Sequence, residues 1–321
     1  MSTTMIPKEG WTPPASATDH LGGPIRTNDL FFAPPPPQIG SVVSANSTMG
    51  VNSRPWPLWL RRFVIVLATG AGIGIGVWIN LSNGQKGLEY QSLGLCALIG
   101  ISGFAIAYTF TNFQHICTYV GSQGFSIIRC YGSREGVEKP ELFLFIQASA
   151  LKTELIQGHG LVDRALLGPD REPHYAFSWT TAAGKVVHEY SGQLKHDSSK
   201  LPGDDLYYFY CSAEKAWTAW RLEQALKQIN ESGSFGFKLD DGGEIRVAAE
   251  YAEFLINGRR DRVPREAFQS LQMHGRQVVI TIHLGSVGLP FSDGQLVFEY
   301  DDIENAQLLQ RLFRKCVLRE R

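Results

Sequence analysis

Two long runs without charge interrupt the mixed hydrophobic and polar pattern between residues 58 and 113. No charged residue occurs from Phe63 to Gln85, and the apolar part of this run has the roughly 20 residues that a helix needs to cross a bilayer. A second uncharged run extends from Ser92 to Phe113. The pattern predicts a transmembrane hairpin over 58–113, with spans at about 63–81 and 91–112 and a short polar turn between them.

Small residues recur at helical spacing along both predicted spans. They are Gly70, Gly72, Gly74, Gly76, Gly103 and Ala107. Small residues let two helices approach closely in lipid, so we interpret these six as packing residues. The glycines do not fit a dinucleotide-binding loop, because the third glycine of that motif would fall at Ile75.

Beyond residue 113 the pattern changes to short alternating runs, which are typical of strands separated by turns. Asn257-Gly258 lies between two such runs and predicts a two-residue hairpin turn. A helix is predicted to begin at Ser212, with Glu214 in its first turn, and to end near Gly233. The predicted strands cover 116–120, 125–131, 142–147, 175–180, 186–190, 235–239, 245–247, 252–256, 259–263, 268–273, 278–283 and 296–300.

The end of the chain has the clearest helical pattern. Apolar residues recur three and four positions apart from Ile303 to Val317, which predicts one amphipathic helix. A strand meander followed by such a helix is the layout of a pleckstrin-homology-like (PH-like) barrel. The predicted fold class is therefore α+β: a two-helix transmembrane hairpin followed by two PH-like β-barrel or sandwich modules, 114–232 and 233–321, each closed by a C-terminal α-helix.

Residues 1–57 have a different composition from the rest of the chain. They contain 10 of the 16 prolines, and Pro34 to Pro37 are consecutive. Because the segment lacks periodic apolar residues, little burial would offset the entropy of ordering it, and we predict a disordered tail. The proline run favours polyproline II, as a stiff spacer or as a ligand for an aromatic groove on a partner.

Charge and cysteine content narrow the class of protein further. The 321 residues carry a formal net charge of -1, which argues against a dedicated nucleic-acid binder. The five cysteines have no disulfide or metal spacing, which favours free thiols in a reducing compartment. Arginines flank the outer ends of the predicted spans, whereas Lys86 is the one basic residue of the turn between them. The positive-inside rule then predicts an inner-membrane protein with two spans and both termini in the cytoplasm.

Three short segments carry a resemblance to known proteins. They are Val120–Phe125, Ser234–Phe237 and Asp302–Ala306. Over about residues 58–320 the chain resembles an uncharacterised family of bacterial membrane proteins with a two-span hairpin and tandem PH-like domains. The loop from Gly158 to Glu172 departs from that pattern, as does Pro264-Arg265, where such modules often carry a tryptophan. The resemblance implies a scaffold or interaction role at a membrane, and it brings no known catalytic residues.

Candidate chemistry is sparse in the sequence. It lacks the nucleophile elbow, the zinc-protease motif and the phosphate-binding lysine loop, so we expect no catalytic residue, no cofactor and no metal site. One basic cluster follows the predicted hairpin turn: Arg259, Arg260, Arg262 and Arg265. Arginines near a membrane surface bind anionic headgroups with about 1 kcal/mol each. Strand alternation places them on opposite faces, and Asp261 and Glu266 interrupt them, which favours an ordinary solvated hairpin.

The sequence therefore favours a non-enzymatic, membrane-anchored scaffold or interaction protein. Its expected partners are the lipid bilayer and either another protein or a second copy of the chain, without nucleic acid. The alternative hypothesis is a sensor of anionic lipid that uses the hairpin from Arg259 to Arg265. A third and weaker hypothesis is an enzyme whose site is assembled from scattered residues.

Overall fold

The computed structural model describes nine segments of the chain. They are residues 10–50, 58–82, 90–111, 114–131, 137–156, 174–193, 205–274, 276–283 and 294–318. Within them lie four helices: α1 (Leu58–Ser82), α2 (Tyr90–Thr111), α3 (Leu206–Ser232) and α4 (Ala306–Phe313). One π-helical turn, Arg314–Leu318, continues α4.

The strands form four antiparallel sheets, and strand order follows chain order in each of them. The first sheet contains β1 (Val42–Ser47), β2 (Gln114–Gly121), β3 (Gly124–Tyr131) and β4 (Glu141–Leu144). The second contains β5 (Ala150–Ile156), β6 (His174–Thr180) and β7 (Val186–Gln193). The third contains β8 (Ser234–Lys238), β9 (Glu244–Ala248), β10 (Tyr251–Ile256) and β11 (Arg259–Pro264). The fourth contains β12 (Phe268–His274), β13 (Gln277–Ile282) and β14 (Gln295–Glu299). We refer to β1–β7 as the first half and to β8–β14 with α4 as the second half.

The predicted strands are confirmed within one or two residues at most ends. In the second half all seven occur, and Asn257 and Gly258 form the turn between β10 and β11 with φ angles of 51° and 77°. Both angles are positive, as the two-residue turn requires. In the first half the alternating pattern did not predict β1 or β5.

The N-terminal segment is the largest correction to the sequence-based prediction. Disorder was predicted for 1–57, but residues 10–50 are folded, while 1–9 and 51–57 lie outside the described residues. β1 pairs with β2, and Phe31 and Phe32 are each only 2% exposed. They pack with Tyr119 and Cys130, which lie on the face of the first sheet away from the core that α3 covers. The segment is ordered because it covers this second apolar face.

The predicted PH-like barrels are also wrong. The four sheets are open and separate: among the described strands, no pairing joins an edge strand of one sheet to an edge strand of another. Nor does each half have a helix that closes its own barrel. The first part of α3 packs in the aromatic core of the first half through Phe209 and Trp217, whereas Ala225 and Ile229 near its end lie in the core of the second half. The single helix α3 thus packs in the cores of both halves. The predicted boundaries at residues 113 and 232 stay predictions.

Helix α3 also begins earlier than its sequence pattern indicated. Its N-cap is Asp205, whose carboxylate accepts a hydrogen bond from the Tyr207 N–H at 2.8 Å, so Ser212 lies inside the helix and not at its start. The early start places Glu214 in the helix interior, where it is buried. The predicted end is confirmed, because Gly233 has a φ of 86° and donates its N–H to the Ile229 carbonyl oxygen.

The helices α1 and α2 correct the predicted transmembrane hairpin. Among the described helices, only α1 contains a segment with the length and mean hydropathy of a membrane span, Trp59–Ile79. The apolar part of α2, Cys96–Tyr108, is shorter than a span requires. The two helices nevertheless pack against each other, and together they lie between β1 and β2 in the chain.

Buried polar contacts join the two halves. Asn305, just before α4, donates its N–H to the Leu151 carbonyl oxygen and accepts the Leu151 N–H at its Oδ1, both at 2.8 Å. The same Oδ1 accepts the indole N–H of Trp217 at 3.2 Å. Lys152 and Asp240 form an ion pair across the same junction at 2.5 Å. These contacts fix β5 of the first half against α4 of the second.

Candidate functional site

A cavity of about 530 Å³ lies at the junction of the two halves. β5, β6 and α3 supply one side of it, and β12, the end of β14 and α4 supply the other. The N-terminal segment reaches its edge through His20 and Leu21. Its volume falls within the range of roughly 300–1,000 Å³ that is usual for small-molecule sites. We call it the junction cavity.

Glu214 is the most deeply buried carboxyl group of the junction cavity. The side chain is 6% exposed, and its Oε1 accepts hydrogen bonds from the Thr153 hydroxyl and the Tyr300 hydroxyl, both at 2.9 Å. Burial raises the pKa of the Glu214 carboxyl, and the two hydroxyl groups offset part of that effect. Because Thr153 lies in β5 and Tyr300 directly follows β14, this carboxyl also connects the two halves.

Aromatic side chains form one wall of the junction cavity. The ring centroids of Tyr175 and Tyr207 are 4.9 Å apart, and those of Tyr207 and Tyr208 are 5.2 Å apart. Phe177 lies behind them, 6.4 Å from Tyr207. Tyr175 and Phe177 are buried, whereas Tyr207 and Tyr208 are half-buried and offer part of their surface to the cavity. The wall therefore presents π faces and ring edges instead of aliphatic groups.

The other charged groups of the cavity are mostly paired with one another. Asp301 forms an ion pair with Arg276, and Glu154 lies 3.3 Å from the ammonium group of Lys152. Lys215 lies at the rim with an exposed side chain. Among the carboxyl groups that line the cavity, Glu214 alone has no ion-pair partner within 4.0 Å in the described part of the chain.

The one thiol that lines the cavity is held in its unreactive form. Burial raises the pKa of Cys211 to about 12, and nearby Glu214 adds to that effect. A thiolate is the nucleophilic form of cysteine, so Cys211 carries no nucleophile near neutral pH. The arrangement is suited to binding a ligand, and it offers Cys211 no route to covalent catalysis.

A second cavity, of about 600 Å³, lies between the N-terminal segment and α3. His20 and Lys215 line both cavities. His20 is 3% exposed and contacts the hydroxyl groups of Ser44 and Thr118, the latter at 2.7 Å. Burial lowers the pKa of His20 to about 3. Its imidazole is thus neutral near pH 7. It links the N-terminal segment to β1 and β2 through Ser44 and Thr118.

The four arginines proposed for lipid binding lie on and beside β11, and three of them are paired with carboxylates. Arg259 contacts Asp261 at 3.0 Å, and Arg265 contacts Glu250 at 3.2 Å. Arg262 donates two hydrogen bonds to Glu253 Oε1, at 2.9 and 2.7 Å, and stacks on Tyr251 with 4.0 Å to the ring centroid. Arg260 has no carboxylate partner within the described residues. The cluster is therefore largely compensated within the protein.

The predicted packing glycines divide into two groups. A Cβ atom added at Gly72 would lie 2.7 Å from the Ile99 carbonyl oxygen, and one at Gly103 would lie 2.6 Å from the Ala68 carbonyl oxygen. Gly76 is equally close to α2, and Ala107 is buried. Gly70 and Gly74 have open space around them. The structure thus places Gly72 and Gly76 of α1 and Gly103 of α2 at the contact between the two helices, whereas Gly70 and Gly74 lie away from it.

No group of three or more His, Cys, Asp or Glu side chains that could hold a metal ion occurs in the described part of the chain. All five cysteines are free thiols. The comparisons with known proteins add no assignment, because no family model and no curated protein matches the chain. The resemblance to bacterial membrane proteins stays a prediction.

Sequence reasoning missed the junction cavity entirely. Its lining comes from seven separate elements or segments, and no local motif links them. Glu214 was noticed only as a charge in the first turn of a helix. The sequence did hold a signal for the ordered N-terminal segment, because β2 and β3 carry apolar residues on both faces and such strands need cover on each side.

Proposed function

We propose that the protein is a membrane-attached, non-enzymatic interaction protein whose two halves form a binding platform beside the bilayer. The observation that carries this proposal is the exposed apolar surface of α1 and α2. Trp59 and Trp78, near the two ends of α1, are each 69% exposed, and Val66 between them is 71% exposed. Only 11% of the apolar segment is buried against the rest of the protein.

The exposure separates a membrane segment from the core helix of a soluble protein. A core helix buries its apolar side chains within its own fold, whereas the main packing partner of α1 among the described elements is α2. On α2, Leu98 and Ile101 are more than 60% exposed as well. Soluble proteins leave contiguous apolar patches of at most a few hundred Å² uncovered. Lipid is the environment that covers such a surface without a polar partner.

The pairing of β1 with β2 supports a definite arrangement at the membrane. β1 precedes α1 and β2 follows α2, yet Ser47 lies opposite Cys117 in one sheet. The chain therefore leaves the first sheet before α1 and rejoins it after α2, which supports attachment with the whole first sheet on one side of the bilayer. Arg61 and Arg62 at the start of α1 favour the cytoplasmic face of the inner membrane. The platform binds another protein or a second copy of the chain.

Extraction of membranes tests the attachment. We expect the full chain to stay in the membrane pellet in alkaline carbonate and to need detergent for release. Val66→Asp combined with Ile73→Asp introduces two charges into the apolar surface, each costing about 2.5–3.5 kcal/mol in a bilayer, and should shift the protein to the soluble fraction. Ile146→Asp combined with Val297→Asp is the matched control, because both residues are exposed in the globular part. Release of the unchanged chain, or equal behaviour of the two variants, would refute membrane attachment.

Chemical crosslinking in mild detergent tests the interaction. A second copy predicts a crosslinked dimer whose yield rises with protein concentration. If the purified chain stays monomeric at all concentrations, the partner is a different protein, and crosslinking in intact cells should then give a discrete larger complex. Absence of both species argues against an interaction role.

A further inference from the structure

We infer that the junction cavity is a binding site for a small organic ammonium ion with an apolar body. The inference goes beyond membrane attachment and does not depend on it. Its basis is the combination, in one cavity, of a largely buried carboxyl group without an ion-pair partner, an aromatic wall, and two further carboxylates that are paired with basic side chains.

The anchoring atom is Glu214 Oε2. Oε1 of the same carboxyl accepts both hydroxyl hydrogen bonds, from Thr153 and Tyr300. Within the described residues no hydrogen bond to Oε2 is seen, and Glu214, which is only 6% exposed, lines the cavity. A carboxylate on so buried a residue is poorly solvated, and a donor supplied by a ligand improves its solvation. A charged donor gives the stronger hydrogen bond.

The surrounding charges favour a cation over an anion or a neutral molecule. Asp301 and Glu154 are neutralised by Arg276 and Lys152, so a ligand meets little net field from them. Lys215 is exposed at the rim, where solvent screens it. A carboxylate ligand would face Glu214 with like charge. An ammonium group would compensate the Glu214 carboxylate, whose burial away from other cations is otherwise costly.

The aromatic wall fits the remainder of such a ligand. Tyr207 and Tyr208 present half-buried rings to the cavity, and the Tyr300 ring lies beside Glu214 through its hydroxyl hydrogen bond. Aromatic faces attract cations within about 6 Å of the ring centroid and also bury apolar groups. A bare metal ion fits less well, because the described residues do not bring a third carboxylate, thiolate or imidazole ligand together here.

Calorimetric titration of the full chain in detergent tests the inference with three probes of one shape. Phenethylamine is the cationic probe, 2-phenylethanol its neutral analogue and phenylacetate an anionic analogue. We expect phenethylamine to bind about tenfold or more tightly than either analogue, which corresponds to about 1.4 kcal/mol or more. Equal affinity for the alcohol would make the site a general apolar pocket and would overturn the ammonium assignment, as would no binding of phenethylamine.

Two matched pairs of variants locate the binding. Glu214→Gln should weaken phenethylamine binding about tenfold or more and leave 2-phenylethanol nearly unchanged, because the amide keeps an acceptor oxygen but loses the charge. Glu223→Gln changes an exposed residue of the same helix and should have no effect. Tyr208→Leu should weaken binding and Tyr208→Phe should restore it, which keeps the test valid even if Glu214→Gln does not fold. Unchanged affinity in both Glu214→Gln and Tyr208→Leu would place the probe elsewhere.

Discussion

Asn305 forms hydrogen bonds with both backbone groups of Leu151, the N–H and the carbonyl oxygen. Its N–H donates to the Leu151 carbonyl oxygen and its Oδ1 accepts the Leu151 N–H, each at 2.8 Å, although 154 residues separate the two positions. Asn305 has a φ of 59°, and asparagine is among the few residues other than glycine that tolerate this conformation. Asn305 thus contributes to the junction of the two halves through both its backbone and its side chain.

Replacing Asn305 should therefore loosen the junction. Asn305→Ala removes the acceptor for Leu151 and Trp217 and adds backbone strain, so we expect a loss of about 3 kcal/mol in the free energy of unfolding. Asn305→Gly removes only the acceptor and should cost less. Urea unfolding in detergent measures both. Asn257→Ala, at an exposed turn position with a similar φ of 51°, is the control. Its loss of unfolding free energy measures the backbone strain of alanine at positive φ without the junction hydrogen bonds. A loss no larger in Asn305→Ala than in Asn257→Ala would show that the hydrogen bonds contribute nothing.

The N-terminal segment should contribute directly to stability. Phe32→Ala removes a ring that is 2% exposed and packs in the same cluster as Tyr119, and such a change costs about 3–5 kcal/mol. Val43→Ala on β1, at a side chain that is 47% exposed, should stay within about 0.5 kcal/mol. Thermal unfolding of the full chain compares them. Equal melting temperatures for Phe32→Ala and the unchanged protein would restore the prediction of a disordered tail.

His20 should make the protein sensitive to acid. Its folded-state pKa of about 3 lies below the ordinary value of 6.5, so the folded state binds this proton less readily than the unfolded state. The stability contributed is present above pH 6.5 and is lost as the pH falls toward 3, by up to about 1.4 kcal/mol per pH unit. His20→Gln should flatten the stability profile over this range, whereas His274→Gln, at an exposed histidine, should not. Parallel profiles for all three proteins would contradict the prediction.

The glycines of α1 should respond unequally to one substitution. Alanine favours a helix over glycine by about 1 kcal/mol, so Gly70→Ala and Gly74→Ala should be neutral or stabilising in their open positions. Gly72→Ala and Gly76→Ala place a Cβ atom 2.7 or 2.8 Å from α2 and should lower the melting temperature in detergent. The same shift in all four variants would mean that α1 and α2 do not pack as described.

Positions before α1 and after α2 in the chain should have the same accessibility to a thiol reagent. Val43 and Val297 are about half exposed and lie on β1 and β14, before and after the helices in the chain. We expect Val43→Cys and Val297→Cys both to be protected from a membrane-impermeant maleimide in intact cells and to react after permeabilisation. The unchanged chain measures the background from its own thiols. Opposite accessibility of the two positions would rule out the proposed one-sided arrangement.

The sequence was informative where structure depends on neighbours in the chain. In the second half, period-two alternation and the Asn257-Gly258 turn were sufficient to predict every strand. The pattern failed for β1 and for Phe31 and Phe32, because their partners follow about 70 or more residues later. The closed barrels were wrong because α3 extends through both cores, which a pattern read within one module does not reveal. The junction cavity was out of reach for the same reason, since it is assembled from distant segments.

The pairing of Ser47 with Cys117 also sets an order of events during synthesis. β1 is complete 70 residues before its partner position in β2 is made, a delay on the order of 4–14 s at usual elongation rates. During that interval α1 and α2 are synthesised while β1 lacks β2, its neighbour in the sheet. The first sheet can therefore be completed only after both helices have been synthesised, and assembly of the membrane-facing helices precedes closure of the sheet that flanks them.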